Sequence, residues 1–102
     1  MARRLIWSPR ALSDLQELLT YIAKDAPANA RTVARRIRDR TSSLTDQPGQ
    51  GRRVPEYQGD RTLREVFVHR WRLIYLVTDE DVRIVAIVHG ARLLGNVDPL
   101  DV

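Results

Sequence analysis

Apolar residues follow two different rhythms along this chain. In the second half they alternate with polar residues or run unbroken. In the first half they recur every three or four positions. A period of two marks strands, and one near 3.6 marks helices. Three β-rich runs occupy residues 63–68, 71–78 and 82–92, separated by His69-Arg70 and by the acidic turn Asp79-Glu80-Asp81. In the first run Leu63, Glu65 and Phe67 point one way and Arg64, Val66 and Val68 the other. In the second, Trp71, Leu73, Tyr75 and Val77 oppose Arg72, Ile74 and Leu76. In the third, strict alternation predicts an apolar face of Val82, Ile84, Ala86 and Val88, opposite Arg83, Val85, Ile87 and His89. Short connections predict an antiparallel meander. Its middle run is apolar on both faces and belongs at the centre.

Upstream, residues 3–7 read as a short strand. Ser8-Pro9 then opens a helix, because a serine can cap free backbone N–H groups and a proline at the first helical position has none to lose. Ala11, Leu12, Leu15, Leu18, Leu19 and Ile22 keep helical spacing, and the helix ends near Asp25. Pro27 starts a second helix with a buried stripe of Ala30, Val33, Ala34, Ile37, Thr41 and Leu44. So short a break predicts an antiparallel helical hairpin. Pro48, Gly49 and Gly51 end it, and residues 52–60 read as a loop. The expected fold class is α+β: an N-terminal strand, then an antiparallel helical hairpin packed on an antiparallel β-sheet, in the order β-α-α-β-β-β. The 102 residues make one domain, 1–102, with an irregular tail at 93–102. A chain of this length buries roughly two-thirds of its unfolded surface.

Composition narrows the chemistry. The chain has no cysteine, so disulfides and thiolate ligands are excluded. No apolar run reaches the ~20 residues of a membrane span, and the N-terminus does not read as a signal peptide. The formal charge is +4 and the pI about 10.3. Sixteen of the 17 basic residues are arginine, and Lys24 is the only lysine. Arginine's planar fork suits phosphates and carboxylates. The second helix carries Arg31, Arg35, Arg36, Arg38 and Arg40 against Asp39, which reads first as a solvated face. There is no glycine-rich phosphate loop and no nucleophile elbow. The two histidines have no clustered carboxylates beside them, so neither a metal nor a cofactor is expected. What remains is an Arg/His/Tyr/Glu set on the sheet. Metal-free RNA cleavage needs a base, cations and an acid around one phosphate. His89 or Glu65 would be the base, Arg64, Arg72, Arg83 or Arg92 the cations, and Tyr57 or Tyr75 a stacking or proton-donating group. Strand parity sets Arg64 against Glu65. The plainer roles are a structural His89, a core Tyr75 and a salt-bridged Glu65.

Several stretches, taken in order, resemble the RelE/ParE superfamily of toxins from type II toxin–antitoxin systems, and ParE more closely. The opening helix Ser8-Pro9-Arg10-Ala11-Leu12-Ser13-Asp14-Leu15 is similar to the family's first helix. Gln47-Pro48-Gly49-Gln50-Gly51-Arg52-Arg53 resembles its Pro-x-x-Gly-Arg loop. Leu63-Arg64-Glu65 and Trp71-Arg72-Leu73-Ile74-Tyr75 resemble its strands. Ile87-Val88-His89-Gly90-Ala91-Arg92 resembles the ParE ending. The resemblance covers nearly the whole chain and implies a cytoplasmic toxin. Its expected partner is a cognate antitoxin of ribbon-helix-helix type with an acidic C-terminal segment, bound as a hetero-oligomer. ParE members poison DNA gyrase without catalysis, whereas RelE members cut mRNA on the ribosome with a basic cluster and a terminal Tyr or His. Here the lysine-rich set is missing, and no Tyr or His follows Arg92. The leading expectation is therefore a gyrase inhibitor with no catalytic residue. Arg92, His89 and Arg83 would meet the target, and Arg31, Arg35, Arg38, Arg64 and Arg72 the antitoxin. The alternative is a nuclease using Arg64, Arg72, His89 and Arg92. A third reading is a non-toxic basic interaction module.

Overall fold

The structure, a computed structural model, describes residues 2–59, 61–90, 92, 94 and 95. β1 (Arg4–Trp7) leads into α1 (Pro9–Asp25) and α2 (Pro27–Asp46). A single 3₁₀ turn at Pro48–Gln50 precedes β2 (Arg52–Arg53), β3 (Leu63–Val68), β4 (Trp71–Val77) and β5 (Asp81–His89). The five strands form one sheet in the order β1-β5-β4-β3-β2. The predicted meander is its centre, with β4 in the middle. Two features lie outside the expectation. β1 joins the far edge parallel to β5, and the loop at 52–60 contains β2, a two-residue strand paired antiparallel with β3. Most of the predicted irregular tail lies outside the described residues, although Leu94 is buried.

The helices begin and end as their sequence signals direct. Ser8 caps α1, its hydroxyl accepting from the Ala11 N–H at 3.0 Å. Pro27 begins α2 with no side-chain cap behind it. The hairpin covers one face of the sheet. There Ala11, Leu18, Val33, Ile37 and Leu44 meet Val66, Val68, Leu73, Tyr75, Val82, Ile84 and Ile87. Leu12 is the exception in the predicted stripe, turning to solvent on the side of α1 away from the sheet. The opposite face has its own smaller core of Val54, Leu63, Ile74, Leu76, Val85, Ala86, Val88 and Leu94.

The parity expected for the third run holds only as far as Ile84. Tyr75 pairs with Ile84, but Ile74 pairs with Ala86, so Val85 is an extra residue in a β-bulge. One extra residue shifts everything after it to the other face. Ala86 and Val88 therefore join the far core, and Ile87 turns to the helices. β1 ends opposite Ile84, so β5 beyond that point has lost its neighbour on that side. The Ser8 cap and Asp14 of α1 take the strand's place. The Ser8 hydroxyl donates to the Val85 carbonyl at 2.9 Å, and the Asp14 carboxylate accepts from the Ile87 N–H at 2.9 Å.

Candidate functional site

Arg64, Glu65, Arg72, Tyr75 and the Arg92 backbone meet in two structural networks. The first is on the far face of the sheet. Phe67 and Arg72 are direct cross-strand partners, and this puts Glu65 diagonally beside Arg72 on the same face, within reach of a long side chain. Arg72 is 4% exposed and Glu65 1%. One Arg72 Nη donates to Glu65 at 2.8 Å, and both donate to Glu56 in a fork, at 2.8 and 2.6 Å. Arg52 closes the second Glu65 oxygen at 2.6 Å. Arg72 also donates to the Arg92 carbonyl at 2.7 Å, while Glu56 accepts from the Leu94 N–H at 2.8 Å. The cluster therefore ties the chain after β5 to the sheet. The Arg72 fork holds the Glu56 carboxyl down to about 2, against an ordinary 4.5. Glu56, with Glu65 behind it, raises Arg72 above its usual range.

The second network joins the loop after α2 to the helix-side face. The Tyr75 hydroxyl is buried, donates to the Pro48 carbonyl at 2.7 Å and accepts from the Gly51 N–H at 3.0 Å. Arg64 donates to the Gly51 carbonyl at 2.8 Å. A Cβ at Gly51 would lie 2.5 Å from that hydroxyl and 2.6 Å from the Glu65 carbonyl, so a glycine is required there. Burial pushes the Tyr75 phenol up, away from any role in proton transfer near neutrality.

What stays open to solvent lies on the other side of the hairpin. A groove of about 640 Å³ runs between α1 and the ends of β4 and β5. Arg10, Asp14, Glu17 and Tyr21 from α1 line one wall, and Arg70, Trp71, Ile87, His89 and Arg92 the other. Tyr21 is 72% exposed, the most open large apolar side chain among the described residues. His89 stands edge-on to Trp71, with centroids 6.1 Å apart, because the two residues are cross-strand partners on the helix side. A family profile for the ParE toxin of type II toxin–antitoxin systems, parDE, matches residues 5–94.

The chain belongs to the family of ParE toxins of type II toxin–antitoxin systems.

Toxin RelE2 of Caulobacter vibrioides is 37% identical over 91 residues, spanning 88% of this chain and 98% of that protein. Solved structures share the fold at lower identity. A chain of the chromosomal ParDE system from P. aeruginosa superposes with a TM-score of 0.71 at 20% identity, covering 86% of this toxin and 96% of that chain. The archaeal RelE–RelB complex from Pyrococcus horikoshii OT3 gives 0.54 at 18%, covering 91% and 100%.

In this toxin the two arginines of the family-like strands, Arg64 and Arg72, are fastened within the molecule. Arg64 and Arg72 lie on opposite faces of the sheet, and Arg64 and Glu65 oppose one another as strand parity predicts. Burial removes Arg72 from any contact surface, which corrects its expected place among antitoxin contacts and among nuclease cations. His89 and Arg92 share the groove, but Arg83 does not. It sits six residues earlier on β5, ~20 Å away along the strand, on the face opposite His89, and donates to the buried Asp81 at 3.1 Å. The bulge at Val85 separates them, since plain alternation puts both on one face. Burial pushes the Asp81 carboxyl up, and Arg83 and Arg4 more than reverse this, leaving it lowered. Arg31, Arg35 and Arg38 are exposed on α2, away from the groove's lining. Sequence reasoning missed Tyr21, Arg70 and Asp14 as groove residues, and Glu56 as the anchor of Arg72. Tyr21 was detectable, being an aromatic residue at a position the buried stripe skips. Among the described residues no His, Cys, Asp and Glu cluster is arranged to hold a metal, and no helix is long and apolar enough to cross a membrane.

Proposed function

We propose that this toxin inhibits DNA gyrase by a protein–protein contact, so blocking replication, and that a cognate antitoxin neutralises it by filling the groove beside α1. The observation carrying this reading is the fate of the arginines. RNA cleavage needs its base, cations and acid around one phosphate. Arg72 is instead enclosed by carboxylates, and Arg64 serves the Gly51 carbonyl on the other face. His89 and Arg92 remain accessible at the groove, and they are the residues assigned to the gyrase contact.

The groove suits an acidic segment with apolar anchors. Leu18, Tyr21 and Trp71 offer apolar surface, while Arg10, Arg70 and Arg92 offer positive charge around it. The C-terminal segment of a ribbon-helix-helix antitoxin, folding as it binds, has that chemistry. Occupying the groove would cover His89 and Arg92, so neutralisation is direct competition for one surface, and it takes place in the cytoplasm. The test is gyrase supercoiling with purified toxin. Inhibition or trapped cleaved DNA is expected, relieved by antitoxin and weakened about fivefold or more by Arg92→Ala, as for a contact worth more than about 1 kcal/mol. Unchanged supercoiling at micromolar folded toxin would sink the reading.

One observation favours a second reading. His89 and Arg92 share the groove with Arg10 and Arg70, which supplies an imidazole and cations at one place. A ribosome-dependent nuclease built on them would cleave A-site mRNA in a translation extract and lose that cleavage on His89→Ala.

A further inference from the structure

Five arginines, Arg31, Arg35, Arg36, Arg38 and Arg40, sit on the exposed side of α2. Arg31, Arg35 and Arg38 are spaced i, i+4, i+7 and form one stripe ~10 Å long. Arg36 and Arg40 form a second stripe nearer the sheet, where Arg36 donates to His69 at 2.7 Å. The charges are like at i, i+4 in both stripes, which disfavours a helix. The first turn of α2 contains no acid to complement the positive end of the helix dipole. Among the described residues Arg31 and Arg35 have no hydrogen-bond or ion-pair partner, and Arg38 has only Asp39, at 3.6 Å with both side chains exposed. A surface needed only for solubility would interleave acids. This one sets five arginines against Asp39 and Asp46, with like charges one turn apart at a cost to its own helix, as a binding surface does.

The chemistry of the face selects its partner. The exposed large apolar side chains among the described residues are Leu12, Tyr21 and Phe67, and none is on α2. A protein segment binding here would lack the buried anchors that carry interface affinity. Single-stranded nucleic acid would lack an aromatic platform to stack on. A double-helical phosphate backbone needs neither. It is bound by arginine forks and small polar groups, and Thr32 and Ser42 flank the stripe. We infer that the Arg31–Arg35–Arg38 stripe of α2 binds the phosphate backbone of duplex DNA without reading its sequence. The choice of DNA over double-stranded RNA rests on the gyrase reading, since gyrase works on duplex DNA. The backbone contact itself is tested without gyrase.

The test measures binding of the full-length toxin to a random 25-base-pair DNA duplex by fluorescence anisotropy, between 50 and 200 mM salt. Binding should be sequence-independent, and log K should fall linearly with log salt, by about 0.9 per phosphate contact. Arg35→Ala alone should reduce that slope by about one contact, and Arg31→Ala/Arg35→Ala/Arg38→Ala together by two to three. Arg61→Ala, exposed elsewhere, should leave it unchanged. Thermal unfolding confirms that each variant is folded, and the single substitutions decide the matter if the triple one is not. An unaltered slope in the variants overturns the inference. So does a loss of antitoxin affinity with DNA binding intact, which would make the stripe a protein contact. Equal affinity for an RNA duplex overturns the assignment to DNA. Because gyrase is absent, normal binding here beside unimpaired supercoiling would refute the gyrase reading alone.

Discussion

Arg72 and Arg35 are the same side chain in opposite circumstances. Arg72, 4% exposed, lies in a cluster with Glu56 and Glu65 and holds the chain after β5 against the sheet. Arg35 stands in water on α2, among other arginines, with no hydrogen bond or ion pair among the described residues. A net charge of +4 counts them equally. The physics does not, since a buried ion pair is expensive to break and an exposed charge is worth little to folding. The charge available to a partner is therefore concentrated on α2 and around the α1 groove, and the strand arginines mostly hold the fold together.

The sharpest way to break this contrast is to remove each side chain in turn. Arg72→Ala leaves the Glu65 carboxylate buried with one partner gone, and should cost about 3–5 kcal/mol in urea unfolding. A double substitution, Arg72→Met with Glu65→Leu, should recover much of that loss, since it leaves no uncompensated charge at either position. If Arg72→Ala is nearly neutral, the cluster is not what holds this face together.

A gentler probe is acid. The Glu56 pKa is depressed in the folded state, so its contribution to stability is fully present above about pH 4.5. It is lost as the pH falls through about 2. The wild-type toxin should lose stability across that window more steeply than Glu56→Gln, as followed by unfolding at a series of pH values. Matching slopes would mean the Arg72 fork does not distinguish the charged from the neutral carboxyl.

The smallest effect is expected on α2. Arg35→Ala should change stability by no more than about 0.5 kcal/mol, and relief of like charge can make the change favourable. A large loss would show an unrecognised structural role and would remove the contrast with Arg72.

The helices were legible because their apolar stripes are regular and their ends carry Ser8-Pro9 and Pro27. The central strands were legible for the same reason. The bulge was not. Ile84-Val85-Ala86-Ile87-Val88 is apolar at every position, so no polar residue marks the extra one. β2 was hidden because two arginines between Gly51 and Val54 have no strand pattern, and the edge of β3 creates that pairing. Arg72 read like any other arginine because its burial depends on carboxylates from another strand and a loop. Tyr21 and Arg70 become neighbours only when α1 is laid across the ends of β4 and β5.

The pairing of β1 with β5 has a consequence for the order in which the molecule can be built. The first strand finds its partner only at Asp81–Ile84, and the hydroxyl that caps the first helix completes its bonding at Val85, 77 positions later. Contacts so distant in sequence form late, and a chain leaves the ribosome N-terminus first. A nascent toxin halted before residue 81 has the sequence of both helices, an unpaired first strand and an incomplete groove. Ile87, His89 and Arg92, which complete the far wall beside Arg70 and Trp71, are among the last described residues to be made. The surface through which this toxin would act is completed together with the fold.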